Sequence, residues 1–245
     1  MRVNAPEMWA IALVTVLAAT VFVLSALALA PKSPPAPVAQ HTGGFDFSTS
    51  SPEAPPKVSV SVVGDSYTGG SEMDSGDGHR WRDILNADGV YQVTSHHLGG
   101  TGYVWTRDVG DGPSNFVTRA SEIEPDADVV MLFGSINDNA ASYEEVRQAA
   151  SEAFAAARSV NPNATYVVVG PASPEWPVPE GILNARDAVR DAAATEGLTF
   201  FDPIDDGWFE TNPEYIGEDG THPDDAGHAY LAENLKEILD QVTPS

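Results

Sequence analysis

The sequence predicts an α/β fold over residues 58–245, a three-layer α/β/α sandwich built on a five-stranded parallel sheet. Three observations lead there. Five short strand-like runs recur along this segment, helix-patterned stretches alternate with them, and the third run is apolar at nearly every position, as a strand covered on both faces must be.

Val58 to Val63 alternates and is bounded by turn residues, so it reads as the first strand, with Gly64-Asp65-Ser66 at its carboxyl end. Arg80 to Asn86 is a short helix, Val90 to His96 the second strand and Ala127 to Phe133 the third. Tyr143 to Ser159 carries Val146, Ala149, Ala150, Ala153 and Phe154 at helical spacing, with Ser142 as N-cap and Glu145 at the capping-box position. Thr165 to Val169 is the fourth strand, Ile182 to Thr195 a helix stopping before Gly197, and Leu198 to Phe201 the fifth strand. The last helix is expected from Pro223, a residue tolerated at the first helical position, to about Gln241.

Residues 1–57 differ from this domain. Met8 to Ala30 is uncharged and rich in Ala, Leu and Val, long enough as a helix to cross a hydrocarbon layer about 30 Å thick. Arg2 precedes it, which orients the N-terminus to the cytoplasm and everything after Lys32 outside. Residues 1–30 are therefore expected to be an uncleaved membrane anchor, with a signal peptide cleaved after Ala28-Leu29-Ala30, and so a secreted protein, as the alternative. Residues 31–57 hold seven prolines and read as an extracytoplasmic linker. The chain has no cysteine, which excludes disulfides, thiolate metal sites and lipoprotein attachment.

Net charge is −24, and 33 acidic residues against nine basic ones follow Lys57, so the excess lies on residues 58–245. Such a field repels nucleic acid and anionic lipid and makes a neutral or cationic substrate the easier expectation.

Ser66 follows the first strand in Val63-Gly64-Asp65-Ser66-Tyr67, and Asp219-Gly220-Thr221-His222 stands just before the last helix. A serine hydroxyl becomes nucleophilic when an imidazole takes its proton, and a carboxylate fixes that imidazole's tautomer. Asp219 and His222, three apart at a helix entry, can supply the pair, with Nε2 left for a serine from another strand. Between them lie Leu98-Gly99-Gly100-Thr101-Gly102-Tyr103 and Phe133-Gly134-Ser135-Ile136-Asn137-Asp138. A glycine brings a backbone N–H close to a ligand and an asparagine amide donates without losing a proton, so both are candidate oxyanion donors.

In these four blocks the chain resembles the SGNH hydrolases, the GDSL-type esterases and lipases, over about residues 58 to 241. The resemblance implies a flavodoxin-like sheet, Ser66 as nucleophile, His222 and Asp219 as its partners, and an oxyanion hole from Ser66, Gly100 and Asn137, with Gly99 and Gly102 the alternatives for Gly100. It departs from the family in the third block, where Ser135 and Ile136 separate Gly134 from Asn137 instead of a single residue. An α/β-hydrolase is disfavoured, because no serine lies in a Gly-x-Ser-x-Gly elbow.

Tyr67, Tyr103, Trp105 and Trp176 stand near the expected active end and are the candidate substrate-binding aromatics. Asp65 reads as a turn-holder. No metal site is expected, since His96 and His97 alternate in direction along a strand and His222 and His228 share no helical face. Asp74-Ser75-Gly76-Asp77-Gly78 misses the spacing of an EF-hand loop and reads as solvated. The expectation is a monomeric, cofactor-free, extracytoplasmic serine esterase releasing short acyl or acetyl groups from a cell-envelope glycan or a small molecule. A lipase on longer acyl esters, or a non-catalytic glycan-binding module, is the alternative.

Overall fold

The computed structural model describes residues 57–243. The expected anchor at residues 8–30 and all of the linker except Lys57 lie outside the described residues. Among the described residues no helix is long and apolar enough to cross a membrane.

In chain order the elements are β1 (Val58–Gly64), α1 (Ser66–Gly69), α2 (Trp81–Asp88), β2 (Tyr91–His97), β3 (Arg107–Asp108), β4 (Pro113–Ser114), α3 (Phe116–Arg119), β5 (Val129–Phe133), α4 (Tyr143–Val160), β6 (Thr165–Val169), α5 (Glu180–Thr195), β7 (Thr199–Phe201) and α6 (Asp225–Val242). Single 3-10 turns cover Ile136–Asp138 and Pro213–Tyr215. The five-stranded sheet runs β2-β1-β5-β6-β7 with every pairing parallel, as expected.

Strand alternation divides the core. Val60, Val62, Val129, Met131 and Phe133 pack on one face with Trp81, Leu85, Leu231, Leu235 and Leu239 of α2 and α6. Val63, Val130 and Leu132 pack on the other with Val146, Phe154, Ala188 and Val189 of α4 and α5. β5 is apolar throughout because both of its faces are covered. Ser142 caps α4 in a reciprocal box with Glu145, as the sequence predicts. The last helix begins later than expected: Pro223 precedes the N-cap, which is Asp224, its carboxylate accepting from Gly227 N.

Register positions the site. Gly64 of β1 pairs with His97 of β2 and with Phe133 of β5, so the segments holding Ser66, Gly99-Gly100 and Asn137 all leave the sheet at one carboxyl edge.

Candidate active site

The chain leaves β1 through Asp65, whose Oδ1 accepts from Tyr67 N at 2.9 Å and so caps α1. Ser66 is the first residue of that short helix, 7 % exposed, with a backbone N–H that meets no acceptor among the described residues. An unpaired first-turn N–H beside a nucleophile can serve as an anion donor.

A separate turn delivers the candidate base, His222. Asp219 Oδ1 accepts from Thr221 N and His222 N, both at 2.9 Å, and Oδ2 meets His222 Nδ1 at 2.6 Å. Gly220 takes φ +67°, in the left-handed region that glycine enters without strain and that a tight turn back requires here. The carboxylate can only accept, so Nδ1 carries the proton and Nε2 turns a lone pair to Ser66 Oγ at 3.0 Å. Two further contacts hold the turn. Gly217 N donates to His222 O, and the Tyr67 hydroxyl donates to Thr221 O at 2.7 Å, which ties the residue after the serine to the residue before the histidine.

Burial raises the Asp219 carboxyl, but hydrogen bonds from the His222 ring and from the His222 and Thr221 N–H groups outweigh it, and the net direction is downward. Asp65 goes the other way. Desolvation lifts it to about 6 against the bond from Tyr67.

The Gly-rich turn lies against the serine: a Cβ on Gly99 would fall 3.4 Å from Ser66 Cβ. Gly102 N is committed to Trp105 O at 2.9 Å, whereas Gly99 N and Gly100 N donate to no acceptor among the described residues. Gly100 has φ +70°. This narrows the three glycines to two.

Asn137 stands differently from expectation. Its Nδ2 donates to Thr101 O at 2.9 Å and to Asp65 Oδ2 at 3.1 Å. An amide has two hydrogens, so this geometry leaves none for an oxyanion, and Asn137 instead ties the cap of α1 to the Gly-rich turn. Asp138 beside it is buried, and its carboxylate accepts from Tyr103 N, Val104 N and Trp105 N at 2.7, 3.1 and 2.9 Å.

The aromatic candidates separate. Tyr103 is fully buried against Phe116 and Phe154, and Tyr67 is 3 % exposed, so neither ring is an open substrate contact and that expectation is corrected. Trp105 and Trp176 are 53 % and 36 % exposed. The loop read as solvated is exposed at Ser75, Asp77 and Gly78, but the Asp74 carboxylate departs from that reading: it is buried and holds Ser71 N, Gly76 N and Arg80 Nε. Arg119, which sequence reasoning passed over, is buried beneath the site and donates to Gly64 O, His96 O and Thr101 Oγ1. A single arginine in a four-residue helix gives no periodic signal that could have found it. No group of three or more His, Asp or Glu among the described residues is placed to hold a metal ion.

A profile of the GDSL-like lipase/acylhydrolase family matches residues 62–230. The chain is 36 % identical over 188 residues to a GDSL lipase of Mycobacterium tuberculosis (strain ATCC 25618 / H37Rv), covering 74 % of this chain and 80 % of that protein. Among solved structures, TesA superposes with a TM-score of 0.58 at 20 % identity, covering 76 % of this chain and 99 % of its own. A carbohydrate acetylesterase from Sinorhizobium meliloti superposes at 0.57 and 18 % identity, covering 76 % and 100 %. At these identities the two structures speak for the fold alone.

Proposed function

The chain belongs to the GDSL-like lipase/acylhydrolase family and is a serine ester hydrolase, and from that premise we propose that Ser66, His222 and Asp219 are its catalytic residues. The unbroken line Asp219 Oδ2, His222 Nδ1, His222 Nε2, Ser66 Oγ, with gaps of 2.6 and 3.0 Å, carries the reading. Ser66 Oγ attacks the ester carbonyl as its proton passes to Nε2, and Asp219 stabilises the imidazolium. The tetrahedral oxyanion is met by the N–H groups of Ser66 and Gly100, with Gly99 the neighbouring alternative for the second. His222 then protonates the departing alcohol. Water, deprotonated by the same Nε2, attacks the acyl-enzyme and releases the carboxylic acid, so the cycle draws on no group beyond the chain and water.

The acyl group in this reading is short, acetyl included, and sits on a cell-envelope glycan or a small molecule. The uncharged run 8–30 and the proline-rich linker support an enzyme held outside the membrane, where a cell-envelope glycan is within reach. The Mycobacterium tuberculosis relative, named a lipase, favours longer acyl chains as the second reading. Rates on acetyl against long-chain nitrophenyl esters separate the two. The site itself is tested by labelling the solubilised full chain with a fluorophosphonate: wild type should be labelled and Ser66→Ala should not. A folded wild type that takes no label would remove the assignment.

A further inference from the structure

We propose that Arg107 forms a subsite at the rim of this active site for an anionic group, a carboxylate, carried by the ester substrate. The proposal rests on the Ser66 reading and adds to it a substrate class that the bulk charge of the domain would not suggest.

Arg107 lies on the β3–β4 ribbon, which departs from the Gly-rich turn. Its Nη1 donates to Gly99 O at 2.8 Å, and its Cδ lies 3.4 Å from where a Cβ on Gly100 would stand. Gly99 is the glycine packed on Ser66. The guanidinium is thus anchored on the turn that packs against Ser66. It is exposed, and one hydrogen bond leaves most of its five N–H donors unused.

Its charge is also unspent. Arg80, Arg82, Arg147, Arg158, Arg186 and Arg190 each have a carboxylate within 4.0 Å, and Arg119 is buried against carbonyl and hydroxyl oxygens. Arg107 has no carboxylate within that distance among the described residues. Asp108, the nearest in sequence, turns its Oδ1 to Gly110 N. In a domain with 33 acidic residues, an exposed guanidinium that has no carboxylate partner among the described residues and is bonded to the turn packed on Ser66 suits an anion supplied from outside.

The root of the ribbon is tied down by hydrogen bonds. Asp138 fixes three successive N–H groups at the root of the ribbon, Phe116 N donates to Gly102 O, and Asn115 Nδ2 donates to Tyr103 O. Trp105 is held exposed on the same segment, where its ring can cover the carbon skeleton that bears the anion. A charge already oriented loses little freedom when it binds a carboxylate.

The test compares matched nitrophenyl or phenyl esters in the full-length enzyme and in Arg107→Gln, which removes the charge but keeps an N–H for Gly99 O. One pair places the carboxylate on the acyl side, mono-4-nitrophenyl glutarate against 4-nitrophenyl valerate. The other places it on the alcohol side, 3-acetoxybenzoate against phenyl acetate. The expected result is a loss of about 10- to 100-fold in kcat/KM for at least one anionic ester, mostly in KM, with its neutral partner changed less than about threefold and the preference weakened by salt. Equal losses for anionic and neutral esters would make Arg107 a support of the Gly-rich turn and overturn the proposal, as would no loss at all. Failure of wild type on both neutral esters would strike the esterase reading first and this proposal with it.

Discussion

At the scale of single residues, the proposed site separates groups that would act on the substrate from groups that aim them. Asn137 belongs with the second, because Thr101 O and Asp65 Oδ2 take both hydrogens of its amide. Asn137→Ala would leave the buried Asp65 Oδ2 without its donor, so we expect a stability loss of about 1–3 kcal/mol in urea unfolding, alongside the fall in activity. A loss of about 100-fold or more in kcat with an unchanged unfolding curve would mean that the amide serves the oxyanion directly. Gly100 makes the complementary case. Alanine there must take φ +70°, which costs an L-residue roughly 1–2 kcal/mol. Gly100→Ala should therefore lower the melting temperature and reduce kcat more than it changes KM, and an alanine variant with full kcat would point to Gly99 as the donor. Ser66, Asp219 and His222 could be singled out from sequence because acyl transfer demands those residue types at a strand end and a helix entry. The aim of an amide with two hydrogens depends on acceptors distant in sequence, and no local pattern records it.

At the scale of elements, legibility followed burial. All five sheet strands could be read: β5 and β6 carry the apolar runs that burial on two faces leaves, and β1 and β2 alternate. The β3–β4 ribbon could not: Arg107-Asp108 and Pro113-Ser114 are short and polar, with no alternation to detect. What fixes the ribbon is a long-range bond set, three N–H groups on one carboxylate some 33 to 35 positions away in the chain. Asp138→Ala would strand those donors, each at a cost of about 1–3 kcal/mol, so it should destabilise by at least about 3 kcal/mol and lower kcat/KM through the Gly-rich turn. Ser142→Ala, which removes only the surface cap of α4, should cost about 1 kcal/mol and leave kcat alone. Urea unfolding and ester kinetics on the two variants check the contrast, and equal effects would refute the part given to Asp138.

Across the whole molecule, the buried titrating groups set how stability responds to mild acid. His97 is packed against α1, where its ring occupies the space a side chain on Gly69 would need. Burial, and then the charges of Arg82, Arg80 and Arg119, pull it down from 6.5 to about 4. His228, wholly buried on α6, is lowered as well, first by burial. In both cases the unfolded chain binds a proton that the folded protein refuses, so their contribution is complete above pH 6.5 and is lost as pH falls toward the folded values. Asp65 has the opposite sign. It is raised from 3.8 to about 6, so between those values the folded protein keeps a proton that the unfolded chain has released, and stability is gained as pH falls through 6. Carboxylates held low, such as Asp74 and Asp219, keep their contributions until pH drops below 3.8 and do not enter this window. His97, lowered from 6.5 to about 4, offsets Asp65, raised from 3.8 to about 6, and His228 adds in the same direction as His97, so the melting temperature should fall between pH 7 and pH 5. His97→Gln should shrink that fall and Asp65→Asn should steepen it, because each removes a titrating group of known sign. Thermal unfolding of the three proteins at the two pH values decides the matter: a fall that neither substitution alters would place the acid sensitivity elsewhere in the fold.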